Sequence, residues 1–399
     1  MHATLTVVAG PHVGKEFRFD RHDTFLVGRA AECHLQLSYD DKYFSRRHFL
    51  VEVNPPRLRV VDLDSSNGIR VNGKKVRAAE LRDGDRLQAG KTVFQIEVAG
   101  ARKTVGMPGP AAPARRTDGL PTAFPDIPGF ELTKELGRGG MGVVYKAKRE
   151  ADGRRVAVKT ILPTIAADQA DLDRFVREAT ILAQIDHPNV VKYLATGAVE
   201  PLVYLVMEYV NGPTAHQIVK VRGPMTPVTG VKLVAQASRG LTHAHGRGFV
   251  HRDIKPANLL IGKAGDKRVV KVADFGLARA FAESRLSGLT LMDDIRGTPP
   301  FMAPDQIINY RQVTPAADQY STAATLYWLL TAKFPHDFDT GDPCRAFAKI
   351  LSEDPVPIRD RRPAVPAGLA AVIHRALLPD PGRRYADVAD FAAELLANV

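Results

Sequence analysis

The run His251-Arg252-Asp253-Ile254-Lys255-Pro256-Ala257-Asn258 sets a carboxylate, an ammonium and a carboxamide within a few residues of one another. A second carboxylate, Asp274, opens Asp274-Phe275-Gly276, 21 residues after Asp253. One acid can accept the proton of an attacking hydroxyl. Two hard oxygen groups suit Mg2+, which keeps its remaining contacts for water and phosphates. This set at this spacing is what phosphoryl transfer needs. Each acid alone would be read as a loop cap or turn residue.

Upstream, Gly137-Arg138-Gly139-Gly140-Met141-Gly142-Val143-Val144 fits G-x-G-x-x-G-x-V. Glycines let the backbone approach phosphate oxygens and present N–H groups unobstructed. Val143–Lys148 continues as a strand and not as a helix, which disfavours a dinucleotide fold. Val156-Ala157-Val158-Lys159 follows, with Lys159 17 residues past Gly142.

These elements need a scaffold. From Pro128 the sequence is strand-rich to about Val210, interrupted by a helical period over Asp171–Gln184 with one apolar face. Helices are expected at Thr229–His245, Pro315–Thr331, Cys344–Ser352, Gly368–Leu377 and Val388–Ala397. A small β-rich lobe, about 128–210, followed by a larger helical lobe, about 211–399, is a bilobal α+β arrangement. The sequence over 128–399 resembles a Ser/Thr protein kinase of the bacterial (Hanks) type.

The resemblance implies roles. Asp253 is the catalytic base, and Lys255 contacts the γ-phosphate and neutralises charge developing in transfer. Asn258 and Asp274 are the Mg2+ ligands. Gly137, Gly139 and Gly142 cover the phosphates of ATP. Lys159 grips them and pairs with Glu178 on the helix at Asp171–Gln184. Val144, Ala157 and Leu260 sandwich the adenine, and Glu208 and Val210 supply backbone hydrogen bonds after a gatekeeper Met207. Gly297–Asp305 resembles the substrate-docking end of the activation segment, with Asp305 in place of the usual Glu. Its partner is Arg384, and the shorter side chain puts the ideality of that pair in question. Ala323 stands where a glycine is usual. His243, His245 and His251 fit the approach to a catalytic loop better than a metal site. Ser284, Ser287 and Thr290 are candidate autophosphorylation sites, and Thr298 a structural contact to Asp253 and Lys255.

Residues 1–98 read differently. Short runs of Val, Ile, Leu, Phe and Thr at Ala3–Val8, Glu16–Phe19, Thr24–Val27, His48–Val53, Leu58–Val61 and Thr92–Val98 are separated by turn signals such as Asn67-Gly68 and Asn72-Gly73. This predicts a β-sandwich. Gly28-Arg29, Ser45-Arg46-Arg47-His48 and Ser66-Asn67-Gly68 together resemble a forkhead-associated (FHA) phosphothreonine-binding domain. The resemblance implies that Arg29 and Ser45 hold the phosphate, that Arg46 and Ser66 contribute, and that Asn67 holds the peptide backbone. His48 braces the loops. Arg46 and Arg47 would favour an acid such as Asp293, three residues after Thr290. The fold class is therefore multidomain: an all-β FHA sandwich, a Pro/Ala/Gly-rich linker over 99–127, and a bilobal α+β kinase fold.

Composition narrows the partners. The net charge of +11 is spread as +3 over 1–98, +2 over 99–127 and +6 over the remainder, so no nucleic-acid footprint is concentrated anywhere. A mildly basic surface favours acidic or phosphorylated partners. Two distant cysteines give no disulfide framework, no charged-then-apolar start marks a signal peptide, and no apolar run is long enough to span a bilayer. A cytoplasmic protein with ATP and Mg2+ as cofactors and protein Ser/Thr substrates is the expectation. Phosphothreonine peptides would bind the FHA domain. Autophosphorylation at Thr104, Thr117, Thr122 or Thr290 would create FHA ligands and drive self-association. The alternative is a non-catalytic phosphothreonine-binding scaffold, which the presence of Lys159, Glu178, Asp253, Asn258 and Asp274 disfavours.

Overall fold

Alternation of Ala3, Leu5 and Val7, all buried, with Thr4 and Thr6, less so, makes the first segment a strand with one face in a core. The same rule builds the rest of the N-terminal unit. The computed structural model describes residues 2–19, 23–37, 41–54, 57–99, 124–139, 142–161, 183–199, 202–275, 299–309, 312–338 and 343–399. The chain divides into two compact units, Met1–Asp126 and Ile127–Val399. The segment read as a linker lies largely outside the described residues.

In the first unit the strands are β1 (His2–Ala9), β2 (Glu16–Phe19), β3 (Asp23–Gly28), β4 (Leu35–Gln36), β5 (Phe49–Asn54), β6 (Arg57–Asp62), β7 (Ile69–Val71), β8 (Lys74–Val76), β9 (Ala78–Leu81), β10 (Arg86–Ala89) and β11 (Thr92–Ala99). They form two sheets, ordered β2-β1-β11-β10-β7-β8 and β4-β3-β5-β6-β9. The sheets meet through Phe49 of β5 and Phe94 of β11, both fully buried, with ring centroids 5.9 Å apart at near-right angles. The six expected strands are present within two residues at each end. β4 and β7 to β10 were not expected: at two to four residues they are too short to show a period. The Asn72-Gly73 signal does its predicted work, closing the β7–β8 hairpin with φ of 49° and 81°.

The second unit opens with β12 (Phe130–Gly139), β13 (Gly142–Arg149), β14 (Arg155–Ile161), β15 (Tyr193–Val199) and β16 (Leu202–Glu208), in one antiparallel sheet ordered β12-β13-β14-β16-β15. Helices α1 (Ala215–Arg222) and α2 (Pro227–His245) follow, then the hairpin β17 (Leu259–Ala264) and β18 (Lys267–Val272). The helices α3 (Pro304–Ile308), α4 (Pro315–Thr331), α5 (Pro343–Ser352), α6 (Ile358–Arg361), α7 (Ala367–Ala376) and α8 (Val388–Ala397) complete it. The helix expected at Asp171–Gln184, with Glu178, falls outside the described residues up to 182. α1 was missed because eight residues show little period, although Thr214 and Gln217 form a reciprocal capping box that marks its start.

α4 is the central pillar. Every residue from Ala317 to Leu330 is buried, so the helix has no solvent face and packs on all sides. Ala323 is fully buried within it, so the extra methyl sits inside the core. Arg384, its side chain fully enclosed, donates to Asp305 at 2.6 Å and to the carbonyls of Leu378, Ala316 and Pro379. The Asp therefore reaches the arginine despite its shorter stem.

Phe49 packs between the two sheets with no exposure. Phe49→Ala should destabilise the N-terminal unit by about 3–5 kcal/mol, read by denaturant unfolding. A loss under about 1 kcal/mol would place this ring outside the core.

Candidate active site

Asp318 fixes the catalytic loop. Its carboxylate is fully buried in α4 and accepts the His251 N–H at 2.7 Å, the Arg252 N–H at 2.8 Å and a contact from His245 Nε2 at 2.8 Å. Burial pushes its carboxyl up, but hydrogen bonding and charge from His245, with His251 behind, outweigh burial and hold it below the usual carboxylate range. Two of these bonds clamp Arg252 in the left-handed region, φ 70°, a conformation costing roughly 1–3 kcal/mol for a non-glycine residue. The kink turns the next residue, Asp253, inward.

The His251 ring then ties this loop to the strand before Asp274. Its Nδ1 accepts the Asp253 N–H at 3.1 Å, so Nε2 carries the proton and donates to the Ala273 carbonyl at 2.8 Å. Asp253 Oδ2 accepts Lys255 Nζ at 2.8 Å and Asn258 Nδ2 at 3.1 Å. The same amide donates to the Asp253 carbonyl at 2.8 Å, which leaves the Asn258 oxygen for another partner. Asp253 Oδ1 is buried and accepts no hydrogen bond among the described residues.

Lys159, 6% exposed on β14, donates to Asp274 Oδ1 at 2.9 Å. Burial raises the Asp274 carboxyl, and the Lys159 ammonium, then Lys255, reverse this and keep it low. Asp274 also has positive φ, 61°. The pairing of Lys159 with Glu178 falls outside the described residues.

A cavity of about 290 Å³ adjoins this cluster. It is walled by Val144, Ala157, Met207, Val210 and Leu260, and reaches Gly137, Glu208, Asn258 and Asp274. Leu136, Val191, Tyr209, Thr214 and Gln217 also line it and were not singled out by sequence. The Glu208 carboxylate is occupied elsewhere, by Lys271 Nζ at 2.6 Å and the Lys192 N–H at 2.9 Å, so only its backbone is left to the cavity. Gly142 closes the β12–β13 hairpin opposite Gly139. A Cβ on Gly142 would lie 2.0 Å from the Thr160 carbonyl, so no side chain fits. Gly140, Met141 and residues 276–298, including Ser284, Ser287, Thr290 and Thr298, fall outside the described residues. The three histidines part company: His245 and His251 serve the Asp318 network, while the His243 ring packs at a tilt against His187, centroids 4.9 Å apart.

In the first unit, the loops after β3, before β5 and after β6 converge. The Arg29 N–H donates to the Ser45 carbonyl at 3.1 Å. The Ser66 N–H donates to Ser45 Oγ at 3.1 Å, and Asn67 Nδ2 donates to the Tyr43 carbonyl at 2.8 Å. Thus Ser45 links to Arg29 and Ser66, Asn67 ties to the Tyr43 carbonyl of the same loop, and Arg46 is exposed beside them. Arg47 was expected to join Arg46 in favouring an acid. It instead pairs with Glu32 at 2.7 Å, whose carboxylate already neutralises it. His48 braces the loops as expected. Its Nδ1 accepts the Ser45 N–H at 2.9 Å and its Nε2–H donates to the Gly68 carbonyl at 3.3 Å.

The family model of the protein kinase domain matches residues 130–396, and that of the FHA domain matches residues 25–90. The chain belongs to the protein kinase family. It is 39% identical over 272 residues to the serine/threonine-protein kinase PknB of Mycobacterium tuberculosis, covering 67% of this chain and 42% of PknB. PknJ of the same organism is 35% identical over 266 residues, covering 66% of this chain and 44% of PknJ. The chain thus spans less than half the length of these relatives. The PknI kinase domain of M. tuberculosis matches the fold with a TM-score of 0.54 at 26% identity, over 69% of this chain and 98% of that one. A crystal structure of Rad53 1-466 in complex with AMP-PNP matches at 0.54 and 22% identity, over 100% of this chain and 99% of that one. The kinase unit among the described residues contains no helix long and apolar enough to cross a membrane.

Sequence reasoning used Asp318 only as the landmark five residues before Ala323 and gave it no role of its own. Its signal was present: a lone acid in the apolar run of α4.

Burial lowers the His48 pKa from 6.5 to about 4. The folded pKa is depressed, so the stabilisation is complete above 6.5 and is lost as pH falls toward 4. By pH 5 the FHA unit should lose roughly 2 kcal/mol through this group. A His48→Gln variant should show a flatter pH–stability profile between pH 7 and 5. An unchanged profile would contradict this assignment.

Proposed function

We propose that this chain is an ATP-dependent protein serine/threonine kinase carrying an FHA domain that reads phosphothreonine. We take 1–98 as the reader, 99–127 as the tether and 128–399 as the kinase. The observation that carries the reading is Asp253: one carboxylate oxygen is held by Lys255 and Asn258, and the other is buried without a hydrogen-bond partner among the described residues.

The roles follow from this geometry. A substrate Ser or Thr hydroxyl would give its proton to Asp253 Oδ1 as its oxygen attacks the γ-phosphorus of ATP, the bond from that phosphorus to the β,γ-bridging oxygen breaking and ADP leaving. Lys255, already on the Asp253 carboxylate, stands where it can also offset charge on the moving phosphoryl group. The apolar walls of Val144, Ala157 and Leu260 suit an adenine, with the Glu208 and Val210 backbone at its edge. Lys159 would hold phosphate oxygens, and Gly137, Gly139 and Gly142 would admit them close to the backbone.

The donors present fit Mg2+. Asn258 has its amide nitrogen engaged and its oxygen left over; Asp274 has one oxygen on Lys159 and a second remaining. Two hard oxygens suffice for an ion that keeps several waters and phosphate contacts. Bound there, Mg2+ would neutralise charge on the β- and γ-phosphates. Glu178 retains its proposed role as the Lys159 partner.

In the reader, Arg29 and Ser45 would hold the phosphate, helped by Arg46 and Ser66, with Asn67 on the peptide backbone. PknB and PknJ are serine/threonine-protein kinases by name, and Rad53 binds AMP-PNP; these support the substrate class and the nucleotide. We place the protein in the cytoplasm, and propose that autophosphorylated threonines of this chain are FHA ligands that drive self-association.

Asp253→Asn should lower transfer from labelled ATP to a generic basic protein by about 10²–10⁴-fold while nucleotide binding is retained. Near wild-type turnover in Asp253→Asn would overturn the catalytic assignment. In the reader, Arg29→Ala should abolish phosphothreonine-peptide binding measured by fluorescence anisotropy. Unchanged affinity would sink the FHA assignment, and unchanged self-association alone would sink only the self-recognition idea.

A further inference from the structure

Helix α2 carries no acidic residue along its 19 positions. Its exposed stripe runs through Lys232, Arg239 and Arg247, just past its end, with Gln236 and His243 between them. The spacing of four, three, four and four residues keeps all five on one helical face. The β17–β18 hairpin lies against this face: the Val270 N–H donates to Gln236 Oε1 at 3.1 Å. Lys263 and Arg268 are opposed across the hairpin, both exposed, and Arg268 alternates onto the same side as Val270. Lysines and arginines of two elements thus share one side of the large lobe.

The local acids do not balance them. Asp186 is taken by Lys192 at 2.7 Å and Glu208 by Lys271 at 2.6 Å. Asp266, exposed in the hairpin turn, is the remaining acid on these elements. Between them, the His187 and His243 rings pack at a tilt, centroids 4.9 Å apart, with Arg247 Nη1 on His243 Nδ1 at 3.2 Å. Burial first, then neighbours that include Lys271, Arg239 and Arg247, push the His187 imidazole below its ordinary value.

We propose that the face formed by α2 and the β17–β18 hairpin is a docking surface for an acidic, Asp/Glu-rich polypeptide segment. Charge complementarity selects the occupant. None of the large apolar side chains exposed among the described residues lies on the stripe from Lys232 to Arg247 or on the hairpin, so nothing here inserts into a membrane. No Phe, Tyr or Trp occupies α2 or the hairpin to stack on nucleic-acid bases. Glu208, which borders the nucleotide cavity, is bonded to Lys271 of β18. A segment docked on this face is therefore tethered within reach of the cleft, where local concentration favours its transfer.

The test uses the full chain and does not need catalysis. A fluorescein-labelled peptide rich in Glu and Asp, lacking Ser and Thr, is titrated by anisotropy at several salt concentrations. Binding should weaken with salt. The double variant Arg239→Glu/Arg247→Glu should lose roughly tenfold in affinity, the size expected from reversing two exposed charges. Lys148→Glu, on an exposed position of β13, should change nothing. If the double variant melts early, Lys263→Glu/Arg268→Glu on the hairpin reads the same face and should give the same loss. Equal affinity in the face variants, no binding at all, or tighter face-dependent binding to duplex DNA or to phosphatidylserine vesicles would overturn the proposal. Loss of transfer in Asp253→Asn is a separate result, so failure of the kinase reading and failure of this surface are distinguishable.

Discussion

One buried carboxylate carries the geometry of the kinase unit. Asp318 has no solvent contact, so its charge is tolerable only because two backbone N–H groups and an imidazole converge on it. Those bonds come from a loop more than sixty residues earlier in the chain. They offset the unfavourable backbone of Arg252, the residue before Asp253. The pillar α4 makes this possible: buried on every side, it cannot shift without disturbing the whole lobe.

The two units solve a similar problem with the same device. His48 in the sandwich and His251 in the kinase each use Nδ1 to accept a backbone N–H and Nε2–H to donate to a backbone carbonyl. Each imidazole thereby cross-links two loops that are separate in sequence. In the sandwich these loops carry Ser45 and Gly68, and in the kinase unit Asp253 and Ala273. A neutral imidazole fits this work because it offers one donor and one acceptor at fixed angles. Loops of this kind cannot rely on sheet or helix ladders for rigidity, so buried side chains supply it.

Much of this was legible in the sequence because the chemistry is local. Asp253, Lys255 and Asn258 fall within one short run, and their mutual contacts are formed within that run. Strands and a hairpin of definite length bring Lys159 and Asp274 together, a contact the sequence reading did not state. What escaped was non-local or short. Asp318 is defined by partners far away in the chain, and only its isolation in an apolar helix hinted at them. Strands such as Leu35–Gln36 and Lys74–Val76 are set by their neighbours in the sheet and not by their own pattern. Arg47 read as a ligand-facing cation, yet Glu32, fifteen residues earlier, claims it. A pairing of that kind is fixed by tertiary folding and leaves no periodic trace.

The central claim is that Asp318 acts on chemistry through the placement of Asp253, and a double-mutant cycle on kcat addresses it most directly. Asp318→Asn keeps the shape but removes one acceptor oxygen and the charge. Alone it should lower kcat steeply and leave the KM for ATP nearly unchanged. Combined with Asp253→Asn it should add almost nothing, because the group it positions is already gone. Full additivity of the two losses, or normal turnover in folded Asp318→Asn, would contradict the account.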